Sequence, residues 1–256
     1  MVHPLIIAHR GFSAERPENT ISSFDHAIEN GFDLLELDVH LSADGVLVVM
    51  HDEKVDRTTD GTGFLKSMSF EQISRLDAGS WFRSTDEISY TGEIVPSLEK
   101  FLSLYASKAH VFIEIKSLEE QLVIKLKDLL GIYDLIPEVL SEQIDIPGVS
   151  IISFSRTQIS LSAQYMPNVG HGLLVIQPTK EDIDFCVDNQ IKGLFPNINF
   201  LSSELTELAK SNSLHIGVWG AASVEDLALI SDYEVLGGYC GLAFRRKEIF
   251  SRQNLN

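Results

Sequence analysis

With 256 residues and 44% apolar side chains, the chain has the length of one large α/β domain and the material for a sizeable core, which excludes a disordered protein. Its formal net charge of −17 argues against nucleic acid as a partner, because phosphate backbones demand stripes of Lys and Arg, and against attraction to anionic membrane surfaces. No stretch reaches the roughly 18 apolar residues of a membrane span, and residues 1–7 hold neither a basic region nor a long apolar run, so no transmembrane segment or signal peptide is predicted and the default location is the cytoplasm.

Along the chain, short β-rich runs alternate with longer helical patterns, which points to parallel strands joined by helical crossovers. Strands are predicted at 5–9, 34–39, 111–116, 149–153, 171–175, 193–195, 215–219 and 235–238. Eight such strands close a (β/α)8 TIM barrel. Between the first two, residues 20–30 carry Ile21, Phe24, Ala27 and Ile28 at helical spacing, with Asn19 or Thr20 as the cap and Gly31 as the stop. Further helices are predicted at 97–105, 119–130, 156–165, 180–189, 202–211 and 223–231. Nothing resembles a low-complexity linker or a short repeat, so 1–256 reads as a single domain. Cys186 and Cys240 lie outside any C-x-x-C pattern and are expected as buried thiols rather than a disulfide or a zinc framework.

One segment, between the second and third strands, breaks the alternation. It opens with Asp44-Gly45 followed by Val46-Leu47-Val48-Val49-Met50-His51, and Asp-Gly between β-branched runs signals a hairpin. An antiparallel return would set His51 opposite Leu37 or Asp38, at the carboxyl end of the barrel. The remainder, about 52–93, reads as an irregular insertion with short helices and a possible lid.

Active sites of such barrels sit at the carboxyl ends of the strands, so the charged groups there come first. Glu36 and Asp38 are two apart on a strand and share one face, while Leu35, Leu37 and Val39 take the other. Glu114 has the same placement on the next strand, between Ile113 and Ile115. Carboxylates crowded on an inward face repel unless neutralised. A divalent cation would do this, and three carboxylates make a hard oxygen site suited to Mg²⁺ or Ca²⁺. The competing reading is a buried ion-pair network with Arg10 and Lys116. His9 and His51 lie at the same end and form a natural acid–base pair, since an imidazole pKa of about 6.5 serves both roles at neutral pH. Arg10 and Lys116 would offset phosphoryl charge. Trp219, Phe154 and Phe12 are assigned either to the pocket or to the core. His3, His26, His40, His110, His171 and His215 are assigned structural roles.

The ordered set Ala8-His9-Arg10-Gly11, Pro17-Glu18-Asn19-Thr20, Glu36-Leu37-Asp38-Val39, Asp44-Gly45, His51-Asp52, Asp56-Arg57-Thr58-Thr59, Gly61-Thr62-Gly63, Ile94-Val95-Pro96-Ser97-Leu98, Ile113-Glu114-Ile115-Lys116 and Ser153-Phe154 resembles the landmarks of the glycerophosphodiester phosphodiesterases. The resemblance implies a β/α barrel with an insertion after the second strand. It implies Mg²⁺ or Ca²⁺ on Glu36, Asp38 and Glu114, His9 and His51 as general acid and base, and Arg10 and Lys116 near the phosphate. The implied reaction is hydrolysis of a small glycerophosphodiester to an alcohol and sn-glycerol 3-phosphate.

Two stretches depart from the family pattern. Trp219-Gly220-Ala221-Ala222 stands where Trp-Thr-x-Asn is usual, and Gly237-Gly238-Tyr239-Cys240-Gly241 where Thr-Asp-x-Pro is usual. Both face the pocket mouth in the barrel, so the alcohol pocket is where this chain is expected to differ. The alternative reading is therefore a lysophospholipase D or sphingomyelinase D-like phosphodiesterase acting on a lipid or unusual diester. Phe64, Trp81, Phe82 and Ile88 could supply its apolar groove, but packing under the insertion is the first expectation for them.

Overall fold

The alternation of Leu35, Leu37 and Val39 with Glu36 and Asp38 sets the two faces of the sheet. In the computed structural model, which describes residues 5–83, 88–141, 143–221, 223–231, 233 and 237–240, the apolar three pack in the large core between sheet and helices. Glu36 and Asp38 share their parity with Leu34, which belongs to a separate cluster with Ile7, Phe112, Ile152, Leu174 and Phe195. That cluster fills the inside of the barrel. The Phe195 ring needs small neighbours: a Cβ at Gly193 would lie 2.7 Å from it.

In chain order the strands are β1 (Leu5–His9), β2 (Leu34–Leu41), β3 (Leu47–Val49), β4 (His110–Ile115), β5 (Gly148–Ser153), β6 (Gly170–Val175), β7 (Gly193–Pro196), β8 (His215–Ala221) and β9 (Gly237–Cys240). All but β3 pair in parallel round one sheet, and β1 bonds to both β2 and β9, so the sheet closes as a barrel of eight parallel strands. The last predicted strand, 235–238, coincides with β9 at Gly237 and Gly238, and 234–236 lie outside the described residues.

The helices are α1 (Ile21–Glu29), α2 (Phe70–Ile73), α3 (Leu98–Tyr105), α4 (Glu120–Ile132), α5 (Arg156–Tyr165), α6 (Lys180–Asp188), α7 (Ser203–Ser211) and α8 (Val224–Ser231). Their starts follow from side-chain caps: Thr20, Ser97, Ser155, Thr179 and Ser202 each accept from the N–H three residues on. Each such cap contributes about 1 kcal/mol. Among the described residues no helix is long and apolar enough to cross a membrane. Cys186 is buried, and burial pushes its thiol up to about 12; the side chain of Cys240 lies outside the described residues.

The hairpin forms as the Asp44-Gly45 signal predicts, with Gly45 at φ +77°. Its register, Val39 opposite Val49 and Leu41 opposite Leu47, continues to Met50, whose N–H donates to the Asp38 carbonyl at 3.0 Å. His51 is thereby carried over Leu37, at the barrel mouth. The insertion builds its own small core from Val48, Met50, Val55, Leu65, Ile73, Ala78 and Val95. Its described part is a packed shoulder on the hairpin and not a detached flap.

Candidate active site at the barrel mouth

The parallel pairing of β2 and β4, with Asp38 opposite Glu114, brings the acids together beside the end of β1. One oxygen each from Glu36, Asp38 and Glu114 lies within 4.8 Å of the others, and all three residues are buried. Each carboxylate spends an oxygen on a protein donor. Glu36 Oε2 accepts from the Arg10 N–H at 2.9 Å, Asp38 Oδ2 from Asn19 Nδ2 at 2.9 Å, and Glu114 Oε1 from Lys116 Nζ at 2.8 Å. Asp38 Oδ1, though fully buried, accepts no hydrogen bond among the described residues and has Lys116 Nζ at 3.7 Å. A buried anionic oxygen without a donor is costly, so the residues fit a divalent cation at this point. The expected ion pairs are present as well, so the cations balance the acids only in part.

The titration of the three acids is split. Burial raises Glu36 well above the ordinary range, aided by Asp38 and Glu114. Burial and the Asp38 charge push Glu114 up to about 7. Burial would raise Asp38 too, but Arg10 and Lys116 more than offset it and hold its carboxyl below the usual range. Two acids poised to take up protons beside one held as an anion is what burial and crowding of three carboxylates produce.

The two histidines stand on either side. His9 ends β1, with Nε2 3.9 Å from Glu36 Oε2. Desolvation, with Arg10 beside it, lowers its pKa to about 4, so the ring is neutral at pH 7. His51 donates Nδ1–H to Asp52 Oδ1 at 2.6 Å, and its Nε2 lies 3.1 Å from Lys116 Nζ. Asp52 is held in turn by Arg57, at 2.7 and 3.0 Å, and these bonds depress its pKa first of all. Arg57 also makes a two-pronged pair with Glu18 at 2.8 Å, and Glu18 accepts from Arg10 Nη1 at 2.7 Å. Arg10 Nε lies 3.2 Å from Asp38 Oδ2.

The backbone that allows this is unusual. Arg10 sits at φ +56°, Gly11 at +79° and Asn19 at +58°. A Cβ on Gly11 would come within 2.7 Å of the Ser23 carbonyl carbon, so only glycine fits there. Of the two candidate caps, Thr20 caps α1, and Asn19 turns to Asp38.

Phe154 follows β5, is 45% exposed, and meets the Trp219 ring edge-on at 5.4 Å. Trp219 Nε1 donates to the Val175 carbonyl at 2.9 Å. The pair forms an apolar wall beside the ends of β5, β6 and β8. Phe12 is buried in the helix-side core, away from the pocket. Of the four apolar residues singled out in the insertion, Trp81 meets Phe82 edge-on, Phe82 meets Tyr90 in the same way, Phe64 lies under Lys54, and Ile88 is exposed.

Every site residue expected from the sequence apart from Phe12 therefore gathers at one end of the barrel. From sequence alone Glu18, Asp52 and Arg57 carry no role, Asn19 is only a candidate cap, and His40 is assigned a structural one. All but His40 lie in the motif runs quoted above, which was the available signal.

A sequence model of the Glycerophosphoryl diester phosphodiesterase family matches residues 9–237. A glycerophosphodiester phosphodiesterase of Bacillus subtilis is 33% identical over 250 residues, covering 91% of this chain and 82% of its own. One from Caldanaerobacter subterraneus subsp. tengcongensis is 36% identical over 231 residues, 87% of this chain and 88% of its own. Among solved structures, a glycerophosphodiester phosphodiesterase from Agrobacterium tumefaciens superposes with a TM-score of 0.79 at 27% identity, over 97% of this chain and 99% of its own. An Oleispira antarctica phosphodiesterase, solved with the product sn-glycerol-3-phosphate, shares the fold with a TM-score of 0.84 at 24% identity, over 98% and 97%.

Proposed function

The chain belongs to the glycerophosphoryl diester phosphodiesterase family, and from that premise we propose that it is one catalytic domain, 1–256, hydrolysing small glycerophosphodiesters to an alcohol and sn-glycerol 3-phosphate, with a divalent cation and two histidines, in the cytoplasm. The observation that carries this reading is the buried Glu36–Asp38–Glu114 cluster flanked by His9 and His51. Glu36, Asp38 and Glu114 would hold Mg²⁺ or Ca²⁺, the hard cations that three carboxylates suit. When bound, the cation supplies positive charge against the phosphoryl oxygens.

The rest of the chemistry belongs to the side chains. Arg10 is clamped between Glu18 and Asp38, so its guanidinium is preorganised toward the pocket and loses little freedom on meeting a phosphate. Lys116 adds a second cation beside His51. His9, neutral at pH 7, is the partner able to take a proton from the attacking water at the outset. His51 can serve as the acid only with both ring nitrogens protonated: the Nε2 proton goes to the leaving alkoxide, and the ring is left neutral with Nδ1–H held by Asp52. Phe154 and Trp219 would shield the alcohol moiety from water, and the headgroup preference is set there.

The test is release of sn-glycerol 3-phosphate from glycerophosphocholine and glycerophosphoethanolamine by enzyme stripped with EDTA and then resupplied with Mg²⁺ or Ca²⁺. Turnover lost on stripping and restored by one cation supports the reading. Turnover indifferent to EDTA would refute the carboxylate site. A folded, metal-loaded protein inert on every short diester would shift the reading to the lipid-type substrate.

A further inference from the structure

His40 belongs to the polar interior, 4% exposed, and follows Glu36 and Asp38 at the same two-residue step along β2. Its two ring nitrogens reach two different parts of the site. Nε2 lies 3.0 Å from the His51 carbonyl oxygen and Nδ1 2.9 Å from Ser117 Oγ. A carbonyl only accepts, so Nε2 carries the proton and Nδ1 of the neutral ring accepts from the Ser117 hydroxyl. Ser117 Oγ accepts in turn from the Leu41 N–H at 3.2 Å. The chain of donors runs in one direction, with every group used once.

Those two partners are the backbone of His51 itself and the residue next to Lys116. The side chains of His51 and Lys116 meet at 3.1 Å on the pocket side. One imidazole thus spans, from behind, the two segments whose side chains must keep a fixed spacing in front. The other partner of the His51 ring, Asp52, rides on the same returning strand as His51, so it orients the ring without fixing that strand against β4.

We propose that His40 is a positioning residue for the reaction: it sets the His51–Lys116 geometry by tying the His51 carbonyl to Ser117 across the top of β2. This deepens the role proposed above for His51 and rests on it. A displacement of about 1 Å in such a group costs on the order of 10²-fold in rate, so one buried ring suffices to matter.

The experiment uses the metal-loaded enzyme and glycerophosphocholine, with kcat and KM for His40→Ala, His40→Gln, Ser117→Ala, His51→Ala and the His40→Ala/His51→Ala double variant. His40→Ala is expected to lower kcat about 10- to 100-fold, the range for residues that orient a ligand or catalytic group, with KM little changed. His40→Gln can donate its amide N–H to the same carbonyl and is expected to recover most of that loss. Ser117→Ala should fall between wild type and His40→Ala. In the His51→Ala background, adding His40→Ala should cost nothing more, because the two act through one group.

A His40→Ala enzyme within threefold of wild type overturns the proposal, as does a further loss in the double variant that equals the loss in wild type. If His40→Ala does not fold, His40→Gln and Ser117→Ala decide: Gln well below wild type with KM raised in step would mean a purely structural residue. A fully active His51→Ala would instead overturn the proton-donor reading on which the proposal stands.

Discussion

Lowering the pH should drive the cation from its carboxylates. Burial raises Glu114 to about 7 and Glu36 well above the usual range, and a cation binds only the ionised forms. The sign is fixed: a raised carboxylate pKa means affinity is full above that pKa and falls as pH drops below it. From Glu114 alone, with a pKa of about 7, apparent affinity should fall about 25-fold between pH 7.5 and 5.5. Protonation of Glu36 steepens the fall further. Calorimetric titration of Mg²⁺ or Ca²⁺ into stripped enzyme at several pH values measures this, and runs in two buffers of different ionisation enthalpy count the protons released. About one proton or more should leave per cation near pH 6.5. An affinity that changes less than threefold across this range, with no proton release, would refute the reasoning, since the three acids would then already be ionised or would not hold the metal.

Other outcomes follow from the same geometry. Asp52→Asn should lower kcat by at least about tenfold by losing the partner that fixes the His51 tautomer, with KM the lesser effect; steady-state kinetics on glycerophosphocholine measures it. Gly11→Ala should destabilise the fold by about 1–3 kcal/mol, because φ is +79° and the new Cβ would meet the Ser23 backbone; urea unfolding of the metal-free protein reads it. His171 is buried, with Nε2 3.0 Å from Ser162 Oγ, and burial lowers its pKa to about 4. The unfolded chain takes up that proton first, so stability complete above pH 6.5 should be lost as pH falls toward 4, by on the order of 3 kcal/mol. The difference in unfolding free energy between wild type and His171→Gln, followed from pH 7 to pH 4.5, isolates this contribution.

The legible parts of the molecule were those where local chemistry and global fold agree. Thr20, Ser97 and Thr179 start helices at or beside the predicted positions because a cap is a local hydrogen bond. Glu36 and Asp38 share a face because strand alternation requires it. The Asp44-Gly45 turn fixed the hairpin register and so the place of His51. What stayed hidden depends on contacts far apart in sequence. Arg57 pairs with Glu18 across 39 positions and Ser117 with His40 across 77, separations that no periodicity encodes. Residue type leaves Asn19 and Thr20 equal as caps; the positive φ of Asn19, visible only in the fold, goes with its bond to Asp38 and leaves the cap to Thr20. Sequence leaves Phe12 open between pocket and core, and the left-handed backbone at Arg10 and Gly11 precedes its burial in the core.

The measurement that tests the central claim most directly is the rate of sn-glycerol 3-phosphate release from glycerophosphocholine by metal-loaded wild type, His9→Ala and His51→Ala side by side. The account predicts that each variant, still folded and still binding the cation, loses about 10²–10⁴-fold in kcat. Activity within tenfold of wild type in both would contradict it.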